Sequence, residues 1–260
     1  MRVLALDTSS TSGSMAVVRD GIVEAETNIE HVGTHGVWLM GALDALMKDA
    51  GLSLRDIDLF ALSVGPGSFT GLRIGVSTVK GLAWALGKGK KGKKGGKEVA
   101  GVSTLDALSM NAPSDGSLVC PLLDARKGEI YAALYRPGNG SKDAGGEGGE
   151  GGWGMETLLP GCALKPEELI EQLLKFGPGP VTFLGGGLKP YSGYIRDSIK
   201  DAVFAPEELW RVRAVNVASL ALEGFGERMS PEALSPLYLR KSEAELKKAA
   251  CSVDKPRSFG

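Results

Sequence analysis

The chain has 260 residues, with 30 basic against 31 acidic, 43% hydrophobic side chains and three cysteines. That length supports one large or two small domains with a real core, and the cancelling charges argue against a global field that would steer it to nucleic acid or a membrane surface. Cys120, Cys162 and Cys251 are odd in number, far apart and without a Cys-x-x-Cys pair, which argues against a disulfide framework or structural zinc and fits a reducing cytosol.

Residues 2–7 read as a buried strand ending on Asp7. The apolar run stops after five residues, so it reads as a strand rather than a signal peptide, and no later run approaches a membrane span. A hydroxyl-rich turn over 8–13 leads to a strand over 14–19, the Asp20-Gly21 hairpin signal and a return strand over 22–28. Residues 37–50 read as an amphipathic helix, with Leu39, Ala42, Leu43, Leu46 and Ala50 opposite Asp44 and Lys48, closed by Gly51. Residues 57–64 form the next strand. Gly65-Pro66-Gly67 punctuates it, and Ser68 or Thr70 caps a long helix.

That helix carries two stripes. Leu72, Val76, Val79, Ala83 and Leu86 form the stripe a core-facing helix needs; Gly71, Gly75, Thr78, Leu82 and Ala85 form a second, roughly 100° round. The second stripe, small and apolar, fits either a deeply buried helix or one that packs on its own sheet and on a partner subunit. Beyond the helix, residues 88–97 hold six lysines alternating with glycine; without them 24 basic residues face 31 acidic ones, so the body is moderately acidic.

A second unit begins near residue 99, with a strand over 99–102, a helix to about residue 110 capped by Ser103 or Thr104, and strands over 118–124 and 130–135. LALDTSS and PLLDARKGE are each a strand ending on Asp and turning into a hairpin, a parallel that points to duplication. Residues 138–154 are rich in Gly, Glu and Ser and are expected to form a mobile surface loop. A helix over 166–175, a strand over 181–184, a turn at Gly185-Gly186-Gly187 and a helix over about 214–227 follow. The segment SPLYLRKSEAE reads as an extended piece and then a charged helical end. The expected division is a first lobe over 1–98, a second over 99–227 and a tail over 228–260.

Chemistry-bearing residues are sparse. Asp7 is placed either to hold a metal-phosphate complex in a cleft or to cap the N–H groups of its own turn. His31 and His35 have a spacing that puts two imidazoles on one helix face, as zinc requires, but the flanking Gly33 and Gly36 favour a loop entering a helix. Gly185–Gly187 after a strand fits a close-lying ribose or a plain turn. A strand feeding a Gly-rich turn and a helix N-terminus presents N–H groups to an anion, yet 65–70 lacks the P-loop arrangement. With two histidines in the chain, both locally explained, the sequence gives no credible Ser/His/Asp or Cys/His constellation.

LALDTSS, SVGPGSFTGLRIGVSTVKGLA, GVSTLDALS, LLDARKGEIYAALY and PLYLRK, in that order over most of residues 1–240, resemble the TsaB family. The resemblance implies an α/β, actin/sugar-kinase/chaperone-like fold of two ribonuclease-H-like lobes. It implies a non-catalytic scaffold in the bacterial synthesis of threonylcarbamoyladenosine in tRNA, beside the anticodon, that binds and activates a TsaD-like transferase. Metal and ATP are then expected on partner subunits and none on this chain. A TsaE-like ATPase completes the assembly, tRNA is met only through the complex, and a homodimer uses the same surface. TsaD-like proteins carry two metal-ligand histidines on a helix after the equivalent of the Gly-Pro-Gly segment; here both histidines precede it. The expected partner interface is Leu39, Leu43 and Leu46 with Gly71, Ile74, Gly75, Thr78 and Leu82. The alternative kept open is a nucleotide-dependent phosphotransferase of the same fold, using Asp7 and Gly185–Gly187. The lysine run adds a further expectation, electrostatic affinity for tRNA.

Overall fold

The structure, a computed structural model, describes residues 1–30, 35–87, 96–138 and 154–240. Strands β1 (Arg2–Asp7), β2 (Gly13–Arg19) and β3 (Ile22–Ile29) form an antiparallel meander. Asp20 and Gly21 turn its second hairpin with φ of 49° and 84°, the left-handed pair that a two-residue turn matching strand twist requires. Helix α1 (His35–Asp49) crosses back, β4 (Leu59–Gly65) pairs parallel with β1, and α2 (Phe69–Leu86) returns to β5 (Val99–Ser103), parallel with β4. The short helix α3 (Thr104–Ser109) leads into the second sheet.

That sheet repeats the plan. Strands β6 (Leu118–Arg126), β7 (Glu129–Pro137) and β8 (Met155–Leu164) form a meander; after α4 (Pro166–Leu174), β9 (Val181–Leu184) pairs parallel with β6, and after α5 (Leu188–Ser198), β10 (Ala202–Phe204) pairs parallel with β9. Helix α6 (Ala214–Glu223) and β11 (Glu227–Met229) come last. The spatial orders β5-β4-β1-β2-β3 and β10-β9-β6-β7-β8 are the same topology twice, with β11 added to the first sheet beyond β5. The repeated strand order agrees with the duplication to which the LALDTSS and PLLDARKGE parallel points.

Strand alternation sets the layers. Leu4 and Leu6 face α1 and α2 in a core shared with Phe60, Leu62, Leu39, Leu43, Leu46, Val76 and Val79. Val3 and Ala5 face the other way, into a core with Leu105, Leu108, Val217 and Leu220 that continues to Val119, Tyr135 and Leu184 of the second sheet. A third core joins the far side of that sheet to α4 and α5. Helices α3 and α6 are therefore shared filling between two sheets.

Several expectations change. Strands β5 and β11 pair within the first sheet, and α6 packs on β1 and β2. Helix α6 stops at Glu223 because Gly224 takes φ 92°, short of the expected 227. β8, α5, β10 and β11 were not foreseen. β8 is a half-exposed edge strand without clean alternation, and its Pro160 is tolerated there because an edge N–H need not pair. Helix α5 buries only Leu188 and Ile195 and contains Pro190 and Gly193, leaving little periodic signal. The expected loops largely fall outside the described residues: 88–95, 139–153 and the helical end beyond 240. The arms of the 138–154 segment do meet, with the Gly138 N–H donating to the Gly154 carbonyl. Among the described residues, no helix is long and apolar enough to cross a membrane.

Candidate functional site: the helix-pair face and the interlobe cleft

The Gly-Pro-Gly segment and the start of α2 form a joint. The Ser68 hydroxyl accepts from the Gly71 N–H at 3.3 Å, confirming Ser68 as the cap, and the Ser68 N–H donates to the Ser9 carbonyl at 2.6 Å. The Thr8 hydroxyl donates to the Gly71 carbonyl at 2.9 Å. A Cβ on Gly75 would strike the Thr8 hydroxyl and come within 3.0 Å of Leu62, and one on Gly67 would strike the Ser9 carbonyl. The motif that reads as an anion cradle thus turns the Ser68 N–H and the open sides of Gly67 and Gly75 toward the turn after β1.

Asp7 is 1% exposed, and its Oδ1 accepts from the Ser63 hydroxyl and from the Ser9 N–H at 3.3 Å. Its carboxylate caps its own turn. The Gly187 N–H donates to the Leu122 carbonyl at 3.0 Å, and a Cβ on Gly185 would strike that same carbonyl, so the glycine turn is explained by its close lie on β6. Among the described residues no group of three or more His, Cys, Asp or Glu is placed to hold a metal. His31 and the side chain of His35 lie outside the described residues. The Arg126-Lys127 turn between β6 and β7 holds both residues at positive φ, 63° and 55°, with the Arg126 N–H donating to Asp124 at 2.7 Å.

The expected interface residues differ in how much surface they offer on the isolated chain. Leu39, Leu43 and Leu46 are 1–3% exposed and fill the protein's own core. Gly71 and Gly75 are buried as well. These five side chains or positions offer no area to a partner, because the glycine stripe is what lets α2 lie close on β4 and the turn after β1. Ile74, Thr78 and Leu82 are half-buried and border the outward surface. The exposed positions are Val37 at 83% and Met40 at 52% exposure with Gly41 and Ala45 on α1, and on α2 Ser77 and Gly81 with Ala85, the exposed member of the second stripe. Nothing lies within 4 Å of where a Cβ would stand on Gly41 or Gly81. At one end the pair opens into a groove of about 400 Å³ lined by Met40, Met47, Leu52, Leu54 and Leu86. The opposite flank of α2 is occupied: Trp84 Nε1 donates to Glu232 at 2.8 Å, and Arg73 lies 3.7 Å over the Phe69 ring while its Nε donates to the Tyr238 hydroxyl at 3.1 Å.

One buried polar pair joins α3 to the second sheet. The Tyr135 hydroxyl donates to Asp106 Oδ1 at 2.6 Å. Burial raises the Asp106 carboxyl above its usual range, opposed by the Tyr135 and Ser103 hydrogen bonds, and burial likewise raises Tyr135. The Cys120 thiol is wholly buried and pushed up by desolvation, as is Cys162 to a lesser burial.

Comparison with known proteins adds to this geometry. The family model described as TsaD, tRNA N6-adenosine threonylcarbamoyltransferase, matches residues 29–248. The tRNA threonylcarbamoyladenosine biosynthesis protein TsaB of Bacillus subtilis is 31% identical over 248 residues, covering 95% of this chain and 97% of its own. Its Escherichia coli counterpart is 31% identical over 255 residues, 94% and 96% of the two chains. Among solved structures, YeaZ from Pseudomonas aeruginosa superposes with a TM-score of 0.71 at 27% identity, covering 92% of this chain and 99% of that one.

Proposed function

This chain belongs to the TsaB family, within the wider group matched by the TsaD model, and from that premise we propose that it is the non-catalytic scaffold subunit of a tRNA threonylcarbamoyladenosine-forming complex. Its place in threonylcarbamoyladenosine biosynthesis follows from the family. The finer reading is that the outward face of α1 and α2 docks a TsaD-type transferase and holds it in its active form. Metal and nucleotide belong to the partner subunits, a TsaE-type ATPase joins the assembly, and tRNA is engaged through the complex. Without the partner, the same face pairs two copies of this chain.

The observation that carries the reading is the outward face itself. Val37 and Met40 stand exposed on α1 with Gly41, Gly81 is exposed on α2 near Lys80 and Trp84, and both glycines have open space where a Cβ would stand. Such a surface admits a second helix pair at short range, with apolar side chains to anchor it. The committed hydrogen bonds of Asp7 support assigning the chemistry to the partner. Light scattering on size-exclusion eluates of the chain, alone and mixed with its cognate TsaD-type subunit, tests this. A mixed species, with no ATP turnover by this chain alone, is expected; turnover by the isolated chain, or no mixed species, contradicts it.

A further inference from the structure

In open α/β sheets, ligands lie in the crevice outside the carboxyl ends of the parallel strands. Here those ends are the segments at Asp7, Gly65 and Ser103 in the first sheet and at Asp124, Leu184 and Phe204 in the second. The chain's own C-terminal segment meets one in each sheet, the ends of β4 and β6. After β11 it descends along α2, where Glu232 takes the Trp84 indole and its carbonyl takes Lys80 at 3.1 Å, and it sinks Leu234 fully into the core. The Leu237 N–H then donates to the Val64 carbonyl at 2.8 Å. Gly65, at φ 134°, faces the Leu237 carbonyl so closely that a Cβ would strike it.

From there the segment leaves the first lobe for the second. The Tyr238 ring lies 5.0 Å from that of Phe69 at the start of α2. Leu239 reaches within 3.6 Å of where a Cβ would stand on Gly161 of β8. Arg240 Nη1 donates to the Ala125 carbonyl at 3.1 Å and pairs with Glu129 at 3.1 Å, gripping both arms of the β6–β7 hairpin. Its side chain is 23% exposed, so this ion pair is shielded from bulk water on most sides.

We propose that residues 235–240 are a built-in occupant of the interlobe cleft, a clasp that fixes the two lobes in one orientation without any small ligand. The segment does by covalent attachment what a bound ligand does in a hinged two-lobe protein: it contacts both halves at once and favours the closed arrangement. The chain then keeps one shape whether or not nucleotide is present. This does not depend on which partner docks on α1 and α2.

The test is the distance between the lobes. Spin labels at Ile22→Cys on β3 and Glu171→Cys on α4, with Cys162→Ser and Cys251→Ser, report it by pulsed electron resonance; dilution with unlabelled chain leaves only intrachain pairs. The full chain and a chain ending after Arg240 are expected to give one narrow distribution, unmoved by ATP with magnesium. A chain ending after Ser235, and the full-length Arg240→Ala variant, are expected to give a distribution at least twice as broad. A broad distribution in the full chain, narrowing on addition of ATP, or an unchanged distribution in Arg240→Ala would overturn the clasp. Should the chain ending after Ser235 fail to fold, Arg240→Ala alone decides.

Discussion

At the level of single residues, the two glycines of α2 that look alike in sequence do opposite work. Gly75 stands against Thr8 and Leu62, whereas Gly81 faces open space. Gly75→Leu forces a side chain into a filled joint and is expected to destabilise the fold by about 3 kcal/mol or more, beyond what leaving glycine gains in a helix. Gly81→Arg is expected to be neutral or to stabilise by up to about 1 kcal/mol, since a helix interior favours any non-glycine residue. Urea denaturation of the two variants checks both, and equal midpoints would put Gly75 on the surface. Sequence periodicity put Gly75 on the second stripe and left Gly81 off it; a wheel gives angles and not which neighbour fills them. The capping of its own turn by Asp7, through the Ser9 N–H, was legible as one of two readings; the second contact, from Ser63 56 positions away, was not.

Asp106 gives a residue-scale prediction with a sign. Its folded value is raised by burial, so between about pH 4, where the unfolded carboxyl titrates, and the raised folded value only the native chain holds the proton. Stability from this group is therefore fully present below the unfolded value and lost as pH rises through the folded one. Asp106→Asn keeps an acceptor for Tyr135 without a charge, so its stability advantage over the wild type should grow as pH rises through that window. Asp106→Leu instead strands the Tyr135 hydroxyl and is expected to cost about 1–3 kcal/mol at every pH. Denaturant unfolding at pH 3.5, 5 and 7 separates these, and a difference from Asp106→Asn that ignores pH would remove the titration argument.

Among elements, what was legible follows burial. β1, β4 and β9 are short apolar runs with punctuation at both ends, and the first and third of these have the expected bounds. β8 and α5 were hidden because edge exposure and a two-residue buried face leave no period to read. The extended segment with PLYLRK was visible as a motif, but nothing local says that Leu237 and Arg240 reach strands more than a hundred positions earlier. The lysine run gives its own prediction. Lys97 is anchored on the Arg55 carbonyl at 2.7 Å and on the Ile57 carbonyl, so the deletion that leaves the body intact is 88–95. If those five lysines meet tRNA phosphates in the assembled complex, deleting them should lower the slope of log affinity against log salt by one or more. An unchanged slope assigns the run to solvent.

For the whole molecule, the duplicated lobe explains why so much architecture follows from two short stretches ending on Asp7 and Asp124. One topology used twice leaves α3 and α6 as common filling, and the shared core makes α1 and α2 the pair with a free outer side. In the function proposed above, this outer side docks a TsaD-type subunit. Titration calorimetry of the cognate subunit into the wild-type chain and into Gly81→Arg addresses it most directly, with thermal unfolding as the control. The expected result is saturable binding by the wild type and at least tenfold weaker binding by a fully folded Gly81→Arg. Equal affinity in that folded variant would contradict the account and move the docking surface off the helix pair.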